Sequence, residues 1–282
     1  MKARYSFSSR HTKRATDSKK MRKQKQPYPL VLKKIIDQSD IILQVLDIRY
    51  IEGTRNKDIE ADLLRKGKKV IYVLNKADLI RRPKKEELKE INPKVFVSCT
   101  KRKGVKDLRD LIKREAKKID KPLDKKFDKI VVGVMGYPNT GKSSLINVLV
   151  GKKVAGTGAE AGFTRGAQKL KLTNEIHLLD SPGVIPQKEY SSVKKEALAK
   201  HTIVGGRSFS QVRDPEMVID TLIKEFRGTL EHHYKINAKG NAEILLETLG
   251  NKWNYLKKGG FIDEDKVARR ILKEWQAGEI KV

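Results

Sequence analysis

Gly136-Tyr137-Pro138-Asn139-Thr140-Gly141-Lys142-Ser143 follows the apolar run Ile130-Val131-Val132-Gly133-Val134-Met135 and precedes a helical pattern over residues 144–150. The octet fits G-x-x-x-x-G-K-[ST] in the strand-then-helix setting that this spacing requires. Its glycines let backbone N–H groups turn inward around a chain of phosphates, and a lysine in this place reaches the terminal oxygens. Ser143 stands at the positive end of the following helix, where its hydroxyl can ligate Mg²⁺ beside the phosphates. Asn139, Thr140, Gly141, Lys142, Ser143 and Ser144 are therefore expected to line a bound nucleotide's phosphates.

Downstream, Asp180-Ser181-Pro182-Gly183 closes the apolar run of residues 176–179 and fits D-x-x-G. In that setting Asp180 holds the hydration shell of Mg²⁺ and the Gly183 N–H meets the γ-phosphate. Thr164, bracketed in Gly162-Phe163-Thr164-Arg165-Gly166, lies between the two motifs, where a switch threonine closes on the metal. Upstream, Asn75-Lys76-Ala77-Asp78 ends another apolar run. An aspartate there accepts hydrogen bonds from the ring N–H and exocyclic amine of guanine, a donor pair that adenine lacks. Lys76 would lie along the base plane, and Asn75 would brace the loop. Ser98-Cys99-Thr100 follows the next apolar run and can offer N–H groups to the guanine carbonyl. The nucleotide is expected to be GTP or GDP.

Apolar runs at 41–46, 70–74, 94–97, 130–135 and 176–179 alternate with amphipathic stretches at 30–38, 57–66, 84–90 and 105–112. Near-continuous apolar strands separated by helices predict a mostly parallel sheet covered on both faces. After about residue 190 the strand signal ends; Asp214-Pro215-Glu216 reads as a helix start, with helices expected around 219–231, 242–249 and 266–275. The predicted organisation is a basic, disordered arm at 1–26, a G domain at 27–189 and an all-α RNA-binding domain at 190–282.

Sixty-three Lys and Arg against 35 Asp and Glu leave a net charge of +28, which calls for a polyanionic partner. The first 26 residues hold ten of the cations and a single acid, Asp17. That bias favours a phosphate-binding arm over a tail that only aids solubility. Lys239, Lys252, Lys257, Lys258, Arg269 and Arg270 are further candidate RNA contacts, although each alone reads more readily as a solvated helix face. Tyr255, Trp253 and Trp275 read as core rather than base-stacking platforms. No apolar run approaches the ~20 residues of a membrane span, and the single cysteine, Cys99, excludes an intramolecular disulfide. These features predict a cytoplasmic monomer, with no DNA-groove motif.

The order of the motifs is unusual. Ordinary GTPases carry the phosphate loop first and the guanine motif later, whereas here Asp78 precedes Gly136. This is the order of a circularly permuted G domain, and it leaves the segment around Gly183 feeding directly into the C-terminal helices. On Asn75-Lys76-Ala77-Asp78, the phosphate loop and Asp180-Ser181-Pro182-Gly183, and more weakly on Asp47-Ile48-Arg49, Arg55-Asn56 and Lys258-Gly259-Gly260, the chain resembles the circularly permuted ribosome-biogenesis GTPases of the YlqF/RbgA type. The usual family sequence at Asp47-Ile48-Arg49 is Asp-Ala-Arg. The resemblance covers most of the chain beyond the basic arm. It implies binding to immature large ribosomal subunits and their rRNA, and GTP hydrolysis at an assembly checkpoint. It also implies that Asn139 helps hold a K⁺ ion against the phosphates, so that Lys142, Asn139, Thr164 and Gly183 form the expected catalytic set.

Two departures qualify that expectation. Val184 stands where many GTPases carry a water-orienting glutamine, so hydrolysis without a partner should be slow. His11 sits in Ser9-Arg10-His11-Thr12-Lys13, not in the Gly-His-Met setting of the bacterial catalytic histidine, and its role is not carried over. A nucleotide-gated RNA-binding module with negligible turnover, and a GTPase directed at tRNA, stay open beside the leading reading.

Overall fold

The computed structural model describes residues 27–81, 85–119, 129–152, 168–181 and 195–282. The basic arm with His11, Thr164, Pro182, Gly183, Val184 and the expected boundary near residue 190 lie outside the described residues.

A six-stranded sheet is built from β1 (Ile41–Asp47), β2 (Lys69–Asn75), β3 (Lys94–Phe96), β4 (Ile130–Gly136), β5 (Gln168–Lys171) and β6 (Ile176–Asp180), in the spatial order β3-β2-β1-β4-β6-β5. Every neighbouring pair is parallel except β5 with β6. Strand β1 is buried along its whole length, as a near-continuous apolar run interrupted only by Gln44, whose amide donates to Glu60 at 2.8 Å, requires of a central strand covered on both faces. Its residues divide by the two-residue period of a strand. Ile41, Leu43 and Val45 join Ile71, Val73, Val132 and Val134 beneath helices Val105–Ala116 and Lys142–Val150, while Ile42 joins Leu32, Ile36, Leu63 and Met135 on the opposite face. The chain direction thus carries Asp47, Asn75, Gly136 and Asp180 to one end of the sheet. Ligands of open α/β sheets collect at such carboxyl ends of strands.

Helix α1 (Pro27–Gln38) starts before the expected residue 30, and α2 (Ile51–Thr54) is a single turn that the sequence pattern did not mark. Helix α3 (Lys57–Arg65) is capped by Asn56, whose Oδ1 accepts from the Ile59 N–H at 3.1 Å, a contact worth ~1 kcal/mol. The helix expected over 84–90 shortens to α4 (Lys85–Leu88), and α5 (Val105–Ala116) and α6 (Lys142–Val150) stand where the periodicity put them.

The C-terminal region is helical: α7 (Lys195–Ile203), α8 (Pro215–Glu225), α9 (Thr229–Tyr234), α10 (Ala242–Trp253) and α11 (Glu264–Ala277). The single helix expected over 219–231 is two. Phe226 leaves the helix at the end of α8, its ring centroid 4.9 Å from that of Trp275. Asp214 occupies the position before α8, but its side chain makes no capping hydrogen bond. Val267, Ala268, Ile271, Leu272 and Trp275 form the buried stripe of α11 and pack with Ile219, Leu222, Leu245 and Leu249.

Helical residues also meet the strand ends. Tyr50 donates to Glu225 at 3.2 Å, and the Val282 N–H donates to the Leu79 carbonyl at 2.7 Å. Among the described residues no helix is long and apolar enough to cross a membrane.

Candidate functional site

The phosphate-loop octet leaves β4 and enters α6 as one turn. Lys142 is buried, and its ammonium donates to the Tyr137 carbonyl at 2.7 Å across the loop it would share with a phosphate. Burial pulls its pKa down to about 8, against an opposing attraction from Asp180. A bound phosphate would supply the missing counter-charge. Thr140 turns inward, its hydroxyl donating to the Tyr137 carbonyl at 2.9 Å.

Asn75, the last residue of β2, closes the loop from the side. Its Nδ2 donates to the buried Thr140 carbonyl at 2.8 Å. Gly141 has φ +92, and a Cβ there would sit 2.3 Å from the same Nδ2. A side chain at 141 would therefore break the contact that ties the guanine motif to the phosphate loop. Cys99 donates its thiol to Asn75 Oδ1 at 3.3 Å; burial raises that thiol's pKa to about 11, so it stays protonated and able to donate.

Asp78 is held by hydroxyls from the next strand end: Ser98 donates to Oδ1 at 2.6 Å and Thr100 to Oδ2 at 3.1 Å. Desolvation alone would raise its pKa, but the Ser98 hydrogen bond, its own backbone N–H and Thr100 together hold it below the ordinary carboxylate value. An ionised carboxylate aimed and fixed in this way is the acceptor that guanine's two N–H donors need. Lys76, at φ +62, reaches back to Asp47 with Nζ 2.8 Å from Oδ2.

The metal-binding chemistry fits the same place. Ser143 stands in the first turn of α6, and Asp180, at the end of β6, is buried close enough to influence Lys142. A hydroxyl and a carboxylate are hard oxygen donors of the kind Mg²⁺ uses beside phosphates while keeping several waters. Asn139, at φ +59, donates its Nδ2 to the Gly205 carbonyl at 2.8 Å. Its amide oxygen is the atom with the chemistry to meet a monovalent cation.

Sequence reasoning missed the groups that reach the loop from the helical region. Gly205 has φ +86, and a Cβ there would lie 2.8 Å from that of Asn139. Tyr137 and His201 share a hydrogen bond through the phenol oxygen and Nδ1, with their rings stacked at a centroid distance of 6.0 Å. The only sequence signal was the paired glycine Gly205-Gly206 after a helical pattern.

A domain description, 50S ribosome-binding GTPase, matches residues 131–248. An uncharacterised GTP-binding protein of Methanocaldococcus jannaschii is 40% identical over 266 residues, which span 92% of this chain and 68% of that protein. The chain belongs to the same family of GTP-binding proteins. Nucleolar GTP-binding protein 2 of Pneumocystis carinii and that of Saccharomyces cerevisiae are each 34% identical across 88% of the chain, which spans 52% and 51% of their lengths. GNP-bound YlqF from T. maritima superposes over 88% of this chain and 92% of its own with a TM-score of 0.60. At 21% identity, that likeness is one of fold. The permuted order of the motifs is visible in the sheet: β2 and β3, which Asp78 and Ser98 follow, precede the phosphate-loop strand β4 in the chain and lie with β1 on the side of β4 opposite β6.

Arg269, a candidate RNA contact, instead grips Asp265 at 2.7 and 2.9 Å and the carbonyls of Phe209 and Val212. Arg270 pairs with Glu274 and lies 4.0 Å over the Trp253 ring. Trp275 is core, at 1% exposure.

Proposed function

We propose that this chain is a GTP-hydrolysing assembly factor of the large ribosomal subunit, which binds rRNA and turns over when the particle engages its helical region. The observation that carries the reading is the hydrogen bond from Asn139 in the phosphate loop to the Gly205 carbonyl. A partner that shifts the helices moves a residue of the phosphate loop directly. The net charge of +28 supplies the attraction to rRNA.

In this reading Asp78 accepts the guanine donors and Cys99 offers its backbone N–H to the guanine carbonyl, while the Ser98 N–H is taken by the Lys103 carbonyl at 3.0 Å and Ser98 serves through the hydroxyl that holds Asp78. Thr140, Gly141, Lys142, Ser143 and Ser144 bind the phosphates. Ser143, Asp180 and Thr164 hold Mg²⁺, and Gly183 senses the γ-phosphate. Asn139 is the residue for K⁺, which would neutralise charge developing between the phosphates. Lys142 contributes its charge to the same region, and a bound phosphate raises the pKa that burial lowers. With Val184 next to Gly183, no glutamine orients the water, so turnover by the chain alone is slow and K⁺ and the particle accelerate it.

GTP turnover in KCl and in NaCl at matched ionic strength, with and without large subunits, tests this directly. Acceleration by both K⁺ and the particle is the expected result. Tight GTP binding with no turnover in any condition would leave a nucleotide-gated RNA binder, and stimulation by tRNA instead would redirect the partner.

A further inference from the structure

Lys76 is placed by a buried network that the nucleotide motifs do not include. Asp47, at the end of β1, is almost fully buried, and its carboxylate is shared by two cations. Arg49 forks onto it, with Nε 3.1 Å from Oδ1 and an Nη 2.8 Å from Oδ2, while the Arg49 backbone N–H also donates to Oδ1. Lys76 takes the remaining side at 2.8 Å from Oδ2. The second Nη of Arg49 donates to the Trp275 carbonyl at 3.0 Å, and the guanidinium lies 4.5 Å over the Trp275 ring. Trp275 in turn donates its indole N–H to the Ile203 carbonyl at 2.8 Å, two residues before the Gly205 carbonyl that receives Asn139.

We propose that Asp47 is a positioning residue for guanine binding: it fixes the Lys76 stem where the purine ring lies, and Arg49, anchored on Trp275, fixes Asp47. The inference rests on the guanine reading of Asp78. A free lysine samples many rotamers, and a site that must order it on binding loses affinity. The ion pair with Asp47 orders Lys76 beforehand. The fork from Arg49 holds both carboxylate oxygens, which an ammonium could not do. Because Arg49 donates a hydrogen bond to the Trp275 carbonyl of α11, base affinity depends on how the helical region is seated. One tryptophan therefore touches the network behind the base and the turn beside the phosphates. Helix α11 is the element through which an event at the helical surface reaches both ends of the nucleotide.

The test uses the full chain, titrated with fluorescent GDP and, separately, with magnesium pyrophosphate as a competitor that has no base. Asp47→Asn is expected to weaken GDP about tenfold or more, as loss of a fixed stacking group does, and to leave pyrophosphate within about twofold. Lys76→Met is expected to weaken GDP similarly. The double variant should be no weaker than Lys76→Met alone, because Asp47 acts through Lys76. Arg49→Lys keeps the buried charge balance but loses the fork and the α11 carbonyl; it should weaken GDP several-fold and serves if Asp47→Asn does not fold. Equal losses for GDP and pyrophosphate, additive losses in the double variant, or unchanged GDP binding in Asp47→Asn and Arg49→Lys would overturn the inference. Failure of the unsubstituted chain to bind GDP would overturn the guanine reading itself, a distinguishable result.

Discussion

Replacing Asn75 with alanine tests how the two halves of the nucleotide site are joined. The substitution removes the 2.8 Å hydrogen bond to the Thr140 carbonyl and the acceptor for the Cys99 thiol. A neutral hydrogen bond contributes ~1 kcal/mol, and a buried carbonyl left without its donor costs ~1–3 kcal/mol. Thr140 is fully buried, so its carbonyl reaches water only if the loop opens. A cost of about 2 kcal/mol therefore falls on the ordered loop, which corresponds to roughly thirtyfold in GDP affinity if the open loop cannot bind phosphate. The same cost lowers the melting temperature by about 4–8 °C if the folded state absorbs it instead. Fluorescent-GDP titration and thermal unfolding, with amide exchange across residues 136–143, separate the two. Cys99→Ser keeps a donor beside Asn75 and should stay close to the parent chain. If Asn75→Ala binds GDP within about twofold and melts within about a degree of the parent, the bond does not tie the loop and the reasoning fails.

Three further outcomes follow from the same geometry. Asp78→Asn replaces one acceptor with a donor, so the site should lose guanine nucleotides and gain xanthine nucleotides, whose second ring carbonyl accepts where guanine donates; competition binding with GDP and XDP reads the exchange, and retained GDP preference contradicts it. Lys142, with its pKa near 8 in the empty loop against 10.5 when unfolded, binds fewer protons than the unfolded chain between those values. Its contribution to nucleotide-free stability therefore rises with pH in that window. GDP needs the protonated lysine, so its affinity should be about tenfold weaker at pH 9 than at pH 7, and a flat titration over that range refutes the assignment. Arg55→Ala leaves Glu60 buried without the guanidinium that bonds it at 2.9 and 3.0 Å, with Gln44 and Tyr72 as its side-chain donors among the described residues. Chemical denaturation should show a loss of about 3–5 kcal/mol with GDP binding intact in the folded protein, and a loss under 1 kcal/mol contradicts the buried pairing.

What the sequence made legible was local. The octet at 136–143 could be read because each residue type answers a backbone demand within a few residues, as Gly141 does at φ +92. Strands β1, β2 and β4 were readable because burial on both faces leaves a near-continuous apolar run. A bracing role for Asn75 was also expected, but its partner, the Thr140 carbonyl 65 residues away, was not. Asp47 and Arg49 stood out only by resemblance. The bond from Arg49 to the Trp275 carbonyl spans 226 residues, and no periodicity encodes it. Charge counts could not show the partners of Arg269, because a count cannot see the backbone carbonyls and Asp265 that its guanidinium meets. The split between α8 and α9 was hidden for a similar reason: Phe226 continues the apolar pattern but turns out to meet Trp275.

The most direct measurement is calorimetric titration of the full chain with Mg-GDP and Mg-ADP under identical conditions. The account predicts one GDP site per chain, with ADP weaker by roughly hundredfold or more, because Asp78 would be left facing a base without the paired donors. Equal affinity for the two nucleotides, or no GDP binding at all, would contradict it.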